Sequence, residues 1–250
     1  MKAFTYSPPG GLVFTRRVTI FVGHFGSGKT EIALNAALQV AESGTQVALV
    51  DLDVVKPYFR SRSARAFLAE AGVRVVAPEG DNIHADLPII VPQIRALLRD
   101  AERRVIFDVG GDDTGARALG SLADVVPQAE TDHLLVLNFR RPFTETVAAA
   151  VEMVREIEAA ARLPVSGLIS NTHLMGETTA AVVLEGYRLA AETARRLGVP
   201  LVAVGADEAT RQLLHEEELS CPVFPLRRLI RPPFESRRYR PTTGPLFALT

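Results

Sequence analysis

Near the start of the chain, the run Gly23-His24-Phe25-Gly26-Ser27-Gly28-Lys29-Thr30 combines permissive glycines with a lysine and a hydroxyl. A triphosphate is a dense anion. Glycines at Gly23, Gly26 and Gly28 let successive backbone N–H groups converge on it, and a helix starting just behind adds the positive end of its dipole. In such a loop Lys29 reaches the β- and γ-phosphates, the Thr30 hydroxyl ligates the magnesium ion that bridges them, and Ser27 adds a polar contact. An apolar run at 18–22 precedes the loop and a helical period follows it, the context that separates a phosphate cradle from a plain glycine turn.

Phosphoryl transfer also needs carboxylates, to hold the water shell of a metal and to orient the attacking group. Asp51 and Asp53 close the apolar run 46–50, in a strand expected next to that of the loop. Alternation puts both on one side if the strand is still extended there. Val105-Ile106-Phe107-Asp108-Val109-Gly110-Gly111 is an apolar strand ending in an acid, so Asp108 is the candidate for magnesium-bound water. Gly111 stands where a backbone N–H would meet the γ-phosphate. Asp112 and Asp113 read as turn or cap residues, because further acids beside a triphosphate repel it.

These residues need a scaffold that gathers strand ends. Apolar runs at 18–22, 46–50, 74–76, 104–107, 132–137, 165–170 and 201–204 alternate with helical segments at 29–43, 61–71, 89–102, 144–161, 178–197 and 208–217. That alternation predicts an α/β fold of three layers: a mostly parallel central sheet of about seven strands, helices on both faces, and ligands at the carboxyl ends of the strands. In the first helix Ile32, Ala33, Ala36 and Val40 form the buried stripe, and Gly44 suits a left-handed C-terminal position. One domain is expected over 16–230, with an irregular arm at 1–15 and a Pro/Arg-rich tail at 231–250.

The 250 residues are 47% hydrophobic and 23% charged, ample for a buried core. A net charge of -1 without a basic run leaves no footprint for nucleic acid, and no apolar run suggests a membrane anchor. Cys221 is the only cysteine, which excludes an intrachain disulfide and Cys-x-x-Cys ligation and points to a cytoplasmic protein. The histidines at 24, 84, 133, 173 and 215 show no ligand spacing on a common element.

Residues 23–30, Val50-Asp51-Leu52-Asp53 and Phe107-Asp108-Val109-Gly110-Gly111 together resemble the MinD/ParA-type ATPases of the SIMIBI class, in order over most of the chain. The resemblance implies that Asp53 positions the attacking water, that Asp51 and Asp108 organise magnesium water, and that ATP favours a homodimer. It departs at one position: the family carries a lysine immediately after the first loop glycine, and this chain has His24. His24 either substitutes in part or shapes the loop. Asn171-Thr172-His173-Leu174 follows the strand at 165–170, where related GTPases resemble Asn-Lys-x-Asp. The asparagine without the lysine or the base-selecting acid favours adenine and makes Asn171 the base-contact candidate. Asp207 is either a wall of the adenine pocket or a helix cap.

Other strand-end loops carry charge. Lys56, Tyr58, Phe59, Arg60 and Arg62 follow the acidic pair, and either form a switch segment or pack the next helix. Arg140 or Arg141 lines the nucleotide edge, joins a dimer contact or is surface charge. Three functions fit: a magnesium-dependent ATPase switch read by a protein partner; a kinase or ligase whose acceptor meets Arg60, Arg62, His84 and Asp86; and a module in which nucleotide is only structural.

Overall fold

The computed structural model describes residues 13–53, 62–77, 83–111 and 113–230. The C-terminal tail, most of the N-terminal arm, the segment holding Lys56, Tyr58, Phe59 and Arg60, and Asp112 lie outside the described residues, as do the side chains of Arg62, His84 and Asp86.

The chain runs β1 (Val18–Val22), α1 (Lys29–Glu42), β2 (Val47–Leu52), α2 (Arg62–Glu70), β3 (Val73–Val76), α3 (Ile83–Arg99), β4 (Arg104–Val109) and α4 (Asp113–Gly120). It continues through β5 (Thr131–Leu137), α5 (Val147–Ala161), β6 (Gly167–Ser170), α6 (Ala180–Leu197), β7 (Leu201–Asp207), α7 (Glu208–Arg211) and β8 (Val223–Leu226). The strands form one sheet in the order β3-β2-β4-β1-β5-β6-β7-β8. Every neighbouring pair is parallel.

Alternation along the strands divides the core in two. Val18, Ile20 and Val22 of β1 pack with Ile94 of α3, Leu119 of α4, Ala150 and Met153 of α5, and Ala190 of α6. Phe21 points the other way, among Ile32, Ala33 and Ala36 of α1 and Leu68 of α2. The helix α1 is buried at every position from Ile32 to Val40, well beyond the predicted stripe. Each fully buried Ile or Leu there is worth about 2 kcal/mol of transfer free energy, enough to hold the helix start rigidly behind the loop. Gly44 takes the left-handed conformation, with φ 80.

Several elements differ from expectation. The sheet has an eighth strand, β8, at its edge; it holds Pro225, which cannot donate to a ladder and is tolerated only where no neighbour needs its N–H. The strand β4 lies between β1 and β2, so the strand of Asp51 is not the neighbour of the loop strand. The helix α3 begins at Ile83, ahead of the expected start at 89, with Pro88 inside it. An additional helix, α4, begins at Asp113. The helix after β7 is a single turn, capped by the Asp207 carboxylate, which accepts the Thr210 N–H at 2.7 Å. No helix among the described residues is long and apolar enough to cross a membrane.

Candidate functional site

The loop between β1 and α1 is held from outside by side chains that sit just after other strands. The Asn171 amide, 3% exposed, donates to the Ser27 carbonyl at 2.7 Å. The Arg141 guanidinium donates to the Gly26 carbonyl at 3.1 Å, and the Asn138 amide approaches the same oxygen at 3.4 Å. Within the loop Ser27 N–H closes a turn on the His24 carbonyl at 3.2 Å, and Ile32 N–H reaches the Gly28 carbonyl at 3.1 Å to start α1. The carbonyls of His24, Gly26, Ser27 and Gly28 are thus occupied. An anion arriving at the loop meets backbone N–H groups and the positive end of α1.

Gly28 is the tightest point. Its φ is 89, and a Cβ there would lie 2.2 Å from Asn171 Nδ2. Gly28→Ala therefore adds left-handed strain and breaks the Asn171 brace, an expected loss of about 2 to 4 kcal/mol in urea unfolding. Gly44→Ala is the control: its φ is also positive, at 80, but nothing lies within 4 Å of the added Cβ. Its cost is the backbone strain alone, about 1 kcal/mol. Equal losses at the two positions would remove the brace from the account.

The carboxylates come together across the sheet. Registers pair Asp51 with Asp108 and Asp108 with Phe21, so both acids share the α1 face at the carboxyl end. Both are buried, Asp108 completely. The strand of Asp51 ends at Leu52, and Asp53 N–H turns back onto Asp51 Oδ1 at 2.8 Å. Asp53 is thus placed by an Asx-type turn rather than by continued alternation.

Burial is the main cause that lifts the Asp108 carboxyl to about 6; the Asp53 charge adds to it, while Lys29 and the Thr30 hydroxyl oppose it. Lys29, Thr30 and Asp53 therefore all lie close enough to Asp108 to act on it. Neither Asp108 oxygen meets strict hydrogen-bond geometry with a described residue, although the Thr30 hydroxyl lies near enough to favour its charged form; the buried Ser27 Oγ has no partner among the described residues. A buried carboxylate in that condition is costly unless a cation or donor arrives with a ligand.

Thr30 and the acids are hard oxygen donors that suit magnesium. No group of three or more His, Cys, Asp and Glu among the described residues is arranged to hold a metal by itself.

Gly111 packs on the loop backbone: a Cβ there would be 2.6 Å from Phe25 N and 2.8 Å from the Gly23 carbonyl oxygen. The two arginines separate. Arg140 pairs with Glu185, whereas Arg141 turns to the loop. His173, set aside with the scattered histidines, lies beside Gly28; burial, then the Arg141 charge, lowers its pKa to about 4, so it is neutral. Asn138 had no role in the sequence reading. Its one signal was position, directly after β5 at the carboxyl edge. His24 lies 5.5 Å from Phe143 between ring centroids, with Nδ1 buried and unpartnered among the described residues.

A parallel sheet with this loop between its central strand and the following helix is a P-loop nucleotide-binding fold. A scan against family models finds no match, and no curated protein matches the sequence. Among solved structures, 74% of the chain aligns with 59% of the cell division protein FtsY from Thermotoga maritima, at 24% identity and a TM-score of 0.51. Similarly, 79% aligns with 42% of the signal recognition particle 54 kDa protein from Aeropyrum pernix in complex with GDP, at 22% identity and a TM-score of 0.50. The likeness is one of fold, and the chain spans less than two thirds of either neighbour.

Proposed function

We propose that the chain is a magnesium-dependent ATP-binding protein of the MinD/ParA type, which hydrolyses ATP slowly and acts as a nucleotide-controlled switch. The observation that carries this reading is Asp108: fully buried, with Lys29 and the Thr30 hydroxyl near enough at the mouth of the loop to favour its charged form. Lys29 takes the β- and γ-phosphates, Thr30 ligates magnesium, and Asp51 and Asp108 hold its water shell. Gly23, Gly26, Ser27 and Gly28 cradle the phosphates, and Gly111 meets the γ-phosphate. Asp53 orients a water that bonds to the γ-phosphorus as the bond to ADP breaks.

Adenine is favoured because Leu174 stands where a base-reading carboxylate would be, and the Thr172 hydroxyl is engaged by Phe139 N–H at 3.2 Å. Asn171 contributes chiefly by holding the loop. Phe25 and Phe143 are 55% and 75% exposed beside the loop, and Leu174 and Met175 are exposed after β6. Apolar side chains on the nucleotide face support an ATP-favoured homodimer or a protein partner.

Titration calorimetry with MgATP and MgGTP, combined with phosphate release, tests the reading. ATP is expected to bind at least about tenfold tighter, a difference near 1.4 kcal/mol. The GDP bound to the archaeal neighbour makes guanine the competing base, and equal affinities would remove the adenine assignment. Asp53→Ala is expected to keep the ATP affinity within about threefold and to lose about a hundredfold in turnover. Undiminished turnover would exclude Asp53 as the residue that orients water.

A further inference from the structure

The loop has a second side. Beneath its first residues, away from α1, a cleft of about 580 Å³ runs between α4 and α5. Its inner end is Val22, Gly23, His24, Gly110 and Gly111, its sides are Ala116 and one face of α5 from Ala149 to Ala160, and Phe143 stands at the mouth. The volume falls in the range of small-molecule sites.

The cleft follows from how α4 is seated. Gly120 lets the end of α4 approach α5 so closely that a Cβ would lie 2.7 Å from the Ala160 carbonyl oxygen, and Gly115 does the same against Gly110 Cα at 2.7 Å. The helix is thus pinned at two points, and between them the small side chains Ala116 and Ala149 leave space unfilled. Phe143 holds its place at the mouth with a φ of 68, a conformation that costs a non-glycine residue about 1 to 3 kcal/mol.

Polar groups in the lining are few and one-sided in charge. Glu152 and Glu156, one turn apart on α5, are the acidic side chains that line it, and no Lys or Arg of the described residues does. Glu152 is shared with Arg155 at 3.3 Å, in an exposed pair of small worth. At the inner end His24 Nδ1 is buried without a partner among the described residues.

We propose that this cleft is a binding site for a small amphipathic cation: an apolar body against Met153 and Ile157, an ammonium group at Glu152 and Glu156, and the inner end of the molecule against His24. Gly23 and His24 belong to both the cleft and the phosphate loop, and Gly111, which also lines the cleft, packs on that loop's backbone, so occupancy of one changes affinity at the other. This coupling rests on the proposed nucleotide site; the binding of the cation does not.

The test uses three probes of one shape, 4-phenylbutylamine, 4-phenylbutanol and 4-phenylbutyrate, titrated into the full chain by calorimetry. The amine is expected to bind saturably and at least about fivefold tighter than the other two. Glu156→Gln should remove that preference while the alcohol still binds, and Ala149→Trp, which fills the cleft, should abolish binding of all three with unchanged circular dichroism. No saturable binding, equal affinity for the three probes, or full amine binding by Ala149→Trp would overturn the site. Lys29→Ala separates the two readings: it should lose MgATP and keep the amine. In the parent protein, MgATP should shift amine affinity by about threefold or more, and the amine should shift MgATP affinity by the same factor. An amine affinity indifferent to bound MgATP would overturn the coupling.

Discussion

Lys29→Ala is expected to reduce affinity for MgATP by two to four powers of ten, to below detection in a calorimetric titration. Lys29 is 5% exposed at the first position of α1, directly behind the glycine loop. Each charge-assisted hydrogen bond to a phosphate oxygen is worth about 1.5 to 3 kcal/mol, and contact with both the β- and γ-phosphates engages two. A loss of about 3 to 6 kcal/mol follows, because alanine supplies neither charge nor donor. The fold should survive, since β1 and the apolar residues of α1 are untouched, and circular dichroism reports that directly. An affinity within about threefold of the parent would exclude the loop as the triphosphate site.

Asp108→Asn should act in opposite directions on stability and on function. Burial raises the Asp108 pKa from 3.8 to about 6 in the folded protein, so between those values the folded state holds more protons than the unfolded one. Stability then falls as pH rises through that window, by roughly 3 kcal/mol in total at pH 7. Asparagine has the same shape without the charge and removes that cost. The ligand-free variant should be more stable than the parent at pH 7, by about 2 to 3 kcal/mol, and equal to it near pH 4. Magnesium-dependent nucleotide binding should be lost, because a neutral amide cannot hold the metal's water shell as a carboxylate does.

Urea unfolding from pH 4 to 7.5 reads the difference between the two proteins. His133 and His173 slope the other way: their lowered pKa values give stability that is lost as pH falls through the unfolded value. Both variants carry them, so subtraction leaves the Asp108 contribution. A variant no more stable than its parent at pH 7 would mean that the carboxylate is already compensated in the free protein.

Residues whose role depends on their own stretch of chain were legible without a structure. The glycines of the loop and Gly44 are needed for backbone angles that neighbouring residues impose, and those angles follow from local geometry: φ is 79 at Gly26, 89 at Gly28 and 80 at Gly44. The strands of the sheet's centre show as apolar runs because both faces are covered, which leaves no polar alternation to confuse the pattern. Asp108 was visible for the same reason, as a single acid at the end of such a run.

Where several strand ends meet, the sequence has no local signal to offer. Nothing near Asp51 shows that β4 separates its strand from the loop strand, since strand order is settled by long-range pairing. Arg140 and Arg141 are adjacent and alike in sequence, yet one pairs with Glu185 and the other braces Gly26. Pro225 disguised β8, because proline is compatible with a strand only at an edge, and the edge exists only once the sheet is assembled. By itself, then, the sequence determined the class of sheet, the glycine-rich loop between its central strand and the following helix, and the acids at neighbouring strand ends. The tertiary structure decided that Asn138, Arg141 and Asn171 brace the loop, that Asp108 is fully buried beside Lys29 and Thr30, and that a cleft lies behind His24. Each of these depends on distances between segments far apart in the chain, which packing sets and local periodicity does not encode.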